Sequence, residues 1–292
     1  MPSSGSPMAR RRLLAAELRR LRTGTGRTAE DVGKALHWSK AKISRYELAQ
    51  GGLKPDDVGR LLDLYEVESA QREKLLALAE EASHKGWWEA YSDVLTDGHM
   101  AFIGLEAEAT SIFEWQINAV PGLLQTERYA WEVLSGYHQL APISPGGIRR
   151  QLETRLLRQQ LLTRADPLTY KVLLDESVLF RQRGDRVVMR AQLQRLADAA
   201  ELPNVEIRVL PLKRSHGFAV DSFAILQFGT PLESVLPDMV SVEHLSNELH
   251  VDGDTDAHTF RLAFGCLEGE SLSHAESKEL ILASRDRDWG EL

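Results

Sequence analysis

Apolar residues in the first 84 positions recur at helical spacing. Leu14, Leu18 and Leu21 fall at i, i+4 and i+7, one stripe of a helix over 9–22 that Thr23-Gly-Thr-Gly26 breaks. Thr28 with Asp31 three residues on has the form of a capping box. It starts a second helix with Val32, Ala35 and Leu36 inward. A turn at Leu36-His37-Trp38 leads to Ser39, a good N-cap residue, and a third helix to about Ala49, with Ile43 and Tyr46 inward. Gly51-Gly52 ends it. Pro55, followed by Asp56 and Asp57, suits the first turn of a fourth helix that buries Val58, Leu61, Leu62 and Tyr65. A fifth spans about 69–84 with Leu75, Leu76 and Leu78.

After Lys85-Gly86-Trp87-Trp88 the pattern changes. Helices are predicted over 101–116, 126–135, 148–164 and 187–202, with a loop at Val120–Thr126 and a Pro/Gly-rich loop at 141–147. Runs of β-branched and aromatic residues predict strands at 168–174, 205–210, 222–228, 239–244 and 249–251, separated by turn signals such as Gly217 and Pro231. Two helices, 255–268 and 275–286, close the chain. The pattern therefore implies a five-helix unit followed by a larger α+β unit with its strands in the latter half. The expected boundaries are 9–84, a linker at 85–100, and 101–290. A length of 292 residues agrees with two domains.

Charge divides the same way. The whole chain carries −8, but residues 1–60 hold 13 Lys and Arg against 6 Asp and Glu, a net +7, which leaves −15 on the remainder. A basic head on an acidic body suggests a nucleic-acid-binding unit joined to something else; a solvated basic surface is the plainer reading. The single cysteine, Cys266, excludes an intramolecular disulfide and any cysteine-cluster metal site, and fits a reducing cytoplasm. No apolar run approaches membrane-spanning length, and no apolar stretch of the signal-peptide kind follows Arg10-Arg-Arg12.

The second and third helices meet the spacing of a helix-turn-helix. A small residue, Gly33, stands where the helices approach. His37 stands four positions later in the turn, where a residue tolerant of positive φ is needed. Ile43, ten after Gly33, packs the second helix of the pair. Lys40, Lys42 and Arg45 sit in the early turns of that helix, against its own dipole preference, as a helix entering the major groove requires. The expected DNA-contacting set is Arg27, Thr28, Ser39, Lys40, Lys42, Ser44, Arg45 and Lys54, with Arg45 reading a guanine edge. Glu47 is expected to pair with a neighbouring arginine or to cap structure.

The segment Thr28-Ala-Glu-Asp-Val-Gly-Lys-Ala-Leu-His-Trp-Ser-Lys-Ala-Lys-Ile-Ser-Arg-Tyr-Glu47 resembles lambda-repressor/Cro-type (Xre) helix-turn-helix domains. It departs from them in His37 for Gly, Ala41 for Ser, and a longer loop after Glu47. The rest resembles the C-terminal domain of the actinobacterial WhiJ-like regulators. Four stretches carry the likeness: Ala119–Ala130, Arg155–Gln160, Val172–Ser177 and Ala200–Pro211. The resemblance implies a cytoplasmic, nucleoid-associated transcription regulator that binds operator DNA as a homodimer. It also implies a small cognate partner protein that tunes DNA binding. The alternative is an antitoxin-like protein that neutralises that partner and binds DNA to regulate itself.

Catalytic and metal chemistry find little support, and no cofactor, metal or enzymatic activity is expected. His244 and His250 lie six apart without further ligands, and Asp252-Gly-Asp-Thr-Asp256 begins like a calcium loop but places Ala257 and Ala263 where Gly and Glu are needed. Phosphate-loop, dinucleotide and nucleophile-elbow motifs are absent from the sequence. Trp87-Trp88 and the Trp115/Trp131 region suit either a core or a ligand cavity. Candidate partner- or ligand-binding residues are Trp115, Leu123, Leu124, Gln125, Tyr129, Asp175 and Glu176, the last two read equally as a solvated strand end. Val120–Leu124 reads as a rigid elbow between helices.

Overall fold

The structure is a computed structural model that describes residues 7–47, 49, 53–84, 86–137, 140, 144–214, 217–229, 238–243, 248–252 and 254–290. The expected stop at Gly51-Gly52, the loop after Glu47 apart from Ala49, residues 141–143, Pro231, His244 and the side chains of His250 and 252–256 lie outside the described residues. The chain divides into two units, one ending at Glu89, the other made of residues 90–229 and 237–292.

The first unit is helical: α1 (Pro7–Gly24), α2 (Ala29–Leu36), α3 (Lys40–Glu47), α4 (Pro55–Leu64) and α5 (Ser69–Ser83). Leu14, Leu18, Val32, Ile43, Val58 and Leu62 form its core. Ala35, expected inward, is exposed. The expected linker opens with structure. A 3₁₀ turn at Trp87–Tyr91 buries Trp88, and Arg11 of α1 donates to the carbonyls of Ala82 (2.7 Å) and His84 (3.2 Å) and to Glu89 (3.1 Å). These bonds hold the residues just past α5 to the helical unit, as a flexible linker would not be held.

The second unit runs α6 (Asp97–Glu106), β1 (Ser111–Gln116), α7 (Glu127–Tyr137), α8 (Pro145–Arg158), β2 (Thr169–Asp175), α9 (Ser177–Phe180), α10 (Arg186–Ala199), β3 (Val205–Leu210), β4 (Phe223–Gln227), β5 (Met239–Glu243), β6 (Glu248–Asp252), α11 (Asp254–Glu270) and α12 (His274–Asp288). One six-stranded sheet has the order β3-β2-β1-β4-β5-β6. β1, β2 and β3 are parallel, and β4, β5 and β6 antiparallel. The helix expected over 101–116 is half wrong. It stops at Glu106, and Ser111–Gln116 is a central strand paired on both sides. Ile112, Phe113 and Trp115 favour a strand. A strand covered on both faces lacks the clean alternation that would have announced it. Two of the six strands thus precede the latter half of the unit.

One face of the sheet packs against α11 through Trp115, Leu173, Ile225, Val240, Phe264 and Leu267. The β3 edge is closed by α12. Ser277 Oγ accepts from Val209 N (2.9 Å), and Leu272 N donates to Val209 O (2.9 Å). His274 Nδ1 accepts from Ile207 N (3.1 Å), and this assigns the proton to Nε2, which faces Ala200 O at 3.0 Å.

Candidate nucleic-acid interface

The helix-turn-helix is fixed by local chemistry. Thr28 Oγ1 accepts from Asp31 N (3.2 Å) and Asp31 Oδ2 accepts from Thr28 N (3.0 Å), a closed capping box. Hydrogen bonds from Thr28 hold the Asp31 carboxyl below its ordinary value. His37 takes φ 58° and ψ 40°, the left-handed conformation that ends α2. A Cβ on Gly33 would stand 2.8 Å from Trp38 O, so the turn closes only over glycine. Trp38 N donates to Gly33 O at 2.8 Å across that gap. Ser39 Oγ then caps α3, accepting from Lys42 N at 3.2 Å. Arg22 of α1 donates to both carboxylate oxygens of Glu47 (2.6 and 2.9 Å), which is the arginine pairing expected of Glu47.

The eight residues expected at DNA separate into two groups. Lys40 and Arg45 are exposed on the outward side of α3, and Lys54 stands exposed at the start of α4. Arg27 is half-buried before α2, and its backbone carbonyl accepts from Arg22 Nη1 (2.7 Å). None of these four cations has an ion pair among the described residues. Ser39 is exposed and Ser44 half-buried on the same helix.

Thr28 and Lys42 are already engaged. The Thr28 hydroxyl donates to Asp31 Oδ2 (2.6 Å). Lys42 Nζ sits 2.8 Å from Asp57 of α4 and 3.7 Å from the centre of the Trp38 ring. Tyr46 OH donates to the same carboxylate at 2.5 Å. Burial raises the Asp57 pKa, but bonds from Lys42 and Tyr46 outweigh it and hold the carboxyl below its ordinary value. Arg60 covers Trp38 at 4.9 Å. Lys42 is thus a brace that orients α3 against α4. Residue spacing carries no sign of it, because Asp57 lies fifteen residues away on another helix.

The second-domain candidates are buried or held in turns, and Leu123 and Gln125 line a cavity inside the domain. Trp115, Leu123, Leu124, Gln125 and Tyr129 are all at most 2% exposed, so a partner protein has no access to them. The segment from Val120 to Thr126 follows a strand and contains a 3₁₀ turn at Gly122–Leu124. Its backbone is bolted in place. Gln125 Nε2 donates to Val120 O (2.7 Å), and Gln159 Nε2 donates to Gln125 O (2.7 Å). Gln192 donates to Leu124 O (2.9 Å) and accepts from Thr126 N (2.7 Å), and Tyr129 OH accepts from Val120 N (3.3 Å). Asp175 accepts from Ser177 N (2.9 Å) and Glu176 from Leu212 N (2.8 Å), so both carboxylates secure the turns after β2 and β3.

Two groups that sequence reasoning missed stand beside that turn. Arg158 donates to both oxygens of Glu106 at 2.7 and 2.8 Å, with both side chains enclosed. Glu114 of β1 accepts from Gln116 Nε2 (2.8 Å) and from the Tyr170 hydroxyl. What area it keeps faces a cavity inside the domain, and desolvation pushes its carboxyl up to about 7. Tyr170 and Gln116 oppose that rise through hydrogen bonds; Glu106 adds to it and Arg158 opposes it. Between the ordinary value of 4.5 and about 7, the folded domain holds a proton that the unfolded chain has released. The contribution of Glu114 to stability is therefore fullest below that window, falls as pH rises through it by at most ~1.4 kcal/mol per unit, and is flat above. Melting curves of the wild type and Glu114→Gln across this range are expected to differ in slope; parallel profiles would refute the assignment.

The fold and this interface define a helix-turn-helix protein, a DNA-binding module followed along the chain by an α+β domain. Residues 13–75 match the helix-turn-helix domain family, and residues 100–283 match a domain of unknown function, DUF5753. The second match covers more than half of the sequence, and the chain belongs to the DUF5753 family. No curated protein and no solved structure matches it. Among the described residues no helix is long and apolar enough to cross a membrane, and no group of His, Cys, Asp and Glu is placed to hold a metal ion.

Proposed function

We propose that the protein is a sequence-specific transcription regulator of the Xre type and the WhiJ-like group, a binder of duplex DNA and not an enzyme. The observation that carries this reading is the outward face of α3. Among the described residues Lys40 and Arg45 form no ion pair there, Arg27 and Lys54 flank them in the same state, and Lys42 is spent on holding the helix. Cations outside an ion pair give up little when they turn to phosphates. Arg45 reads a guanine edge, with Ser39 and Ser44 beside it, and Lys40, Arg27 and Lys54 take phosphates. The +7 head against the −15 body supports the same division of labour.

In this reading the protein works in the cytoplasm as a homodimer on two half-sites, and the acidic domain receives a small partner protein that tunes DNA binding. The buried candidates named above do not form that partner's contact surface. Light scattering of the protein on DNA and co-purification with the product of an adjacent small reading frame check these two points.

The deciding experiment is a DNA-binding titration of the full chain on its own promoter region. Arg45→Ala is expected to cost about 1–3 kcal/mol and to relax one base position. Lys40→Ala is expected to weaken all sequences alike and to reduce the salt slope by about 1. Unchanged affinity in Arg45→Ala sinks the assignment.

A further inference from the structure

The α+β domain contains a cavity of about 280 Å³ whose floor is the middle of the sheet. Register places Glu114 of β1 beside Ala224 of β4, and Ala224 beside Ser241 of β5, and all three line the space. Ala224 and Ser241 are small, so this row leaves volume where larger side chains would fill it. Ile112 of β1 and Val172 and Leu174 of β2 share the face that carries Glu114. A central strand in such a sheet is ordinarily apolar on both faces. A carboxyl there adds little to packing and must be stripped of water. Local conflicts of this kind gather at functional sites.

Glu114 has no counter-ion among the described residues. Its two donors, the Gln116 carboxamide (2.8 Å) and the Tyr170 hydroxyl, are both neutral. Arg158 closes on Glu106 instead, and Arg155 donates to Gln125 Oε1 (2.9 Å). The charges of Arg158 and Glu106 act on Glu114 in opposite senses, and desolvation decides the balance, pushing the carboxyl up to about 7. A buried acid in this state lacks one positive charge beside it. Gln116 gives its Nε2 to Glu114, and its Oε1 accepts no hydrogen bond among the described residues. Helices α6 and α7 bring aromatic rings to the same space. His99 and Phe102 stack with centroids 6.4 Å apart, and Tyr137 lines the cavity with them.

We propose that this cavity binds a small organic amine, its ammonium group met by the Glu114 carboxylate and the Gln116 carbonyl oxygen, its apolar body lying among Phe102, Val133 and Tyr137. An ammonium donates three hydrogen bonds and accepts none, which matches a carboxylate and an amide oxygen. Aromatic faces attract cations, and the apolar residues give the body a surface to leave water for. The Arg155 guanidinium repels a cation, which restricts the ammonium to the Glu114 end of the space. The bound ammonium favours the ionised carboxyl, so binding on the acid side of its titration expels a proton. The charged and titratable groups acting on Glu114 are Tyr170 of β2, Glu106 of α6 and Arg158 of α8; His99, Tyr137 and Arg155 line the same cavity. The inference rests on the α+β domain alone and stands apart from the reading of α3.

Calorimetric titration of the full chain with phenethylamine, 2-phenylethanol and phenylacetate tests it, as amine, neutral and acid forms of one body. At a pH of about 8, with Glu114 ionised and the amine still protonated, the amine is expected to bind about tenfold or more tightly than the other two. Lowering the pH to about 6 weakens amine binding by up to about tenfold and leaves the alcohol unchanged. The weakening persists in His99→Gln, which separates Glu114 from His99. Glu114→Gln removes the advantage of the amine over the alcohol. Melting of the unliganded variants verifies that each is folded, and the comparison of the three probes in the wild type stands without them. Alcohol or acid binding as tightly as the amine, binding of none of the three, amine binding indifferent to pH, a pH effect lost in His99→Gln, or an unchanged amine advantage in folded Glu114→Gln overturns the proposal.

Discussion

Arg158→Met is expected to destabilise the α+β domain by about 3–5 kcal/mol, because it leaves the Glu106 carboxylate buried without its counter-charge. Arg158 donates twice to that one group, at 2.7 and 2.8 Å, and the side chains are only 8% and 3% exposed. Methionine roughly preserves volume, so the loss reports charge and hydrogen bonding more than packing. The guanidinium also lies 5.5 Å from the Phe102 ring, a smaller contribution lost at the same time. The double variant Glu106→Gln with Arg158→Met is expected to recover much of the loss, since a neutral pair avoids the desolvation of two ions. Urea unfolding followed by tryptophan fluorescence checks this, fitted with two transitions because two units unfold. A loss below about 1 kcal/mol for Arg158→Met would mean that water reaches Glu106.

The second large effect falls on the helical unit. Ile43→Ala is expected to cost about 2–5 kcal/mol, the range for truncating a buried branched side chain in a core that collapses only in part. Ile43 is 1% exposed in the cluster with Leu14, Leu18, Val32 and Leu62. A domain this small has little stability in reserve. Promoter binding is therefore expected to fail with folding, without any loss of a DNA-facing group. Ile43→Val, which keeps most of the volume, is expected to cost about 0.5–1.5 kcal/mol and to bind. Helical circular dichroism on heating, read beside the DNA titration, separates the two. A wild-type melt for Ile43→Ala would show that α3 is not seated by this residue.

The helical unit was readable because each signal in it is local. Thr28 meets Asp31 three residues on, Gly33 lies under Trp38, and His37 carries the left-handed turn itself. The interactions that adjust its function were not local. The place of Lys42 on its helix suits DNA contact, while its pairing with Asp57 and Trp38 is visible only in three dimensions. In the second unit the later strands announced themselves by β-branched runs, while β1 was hidden by its own chemistry. Glu114 and Gln116 are polar residues on a central strand, placed there by a cavity, and they spoil the apolar run of a buried strand. The residues that make the space noteworthy are the ones that disguised the element carrying them. Arg158 and Glu106, separated by 52 positions, left no trace in spacing at all. Trp115 and Tyr129 were legible as large and aromatic, but a sequence does not say which aromatics face inward.

The closed β3 edge has a consequence for assembly. Open sheet edges invite further strands, from other copies as readily as from the same chain. With α12 bonded to Ile207 and Val209, a copy that adds a strand to this sheet cannot do so at β3. Head-to-tail growth of a fibre by strand addition needs two open edges, and this sheet withholds one.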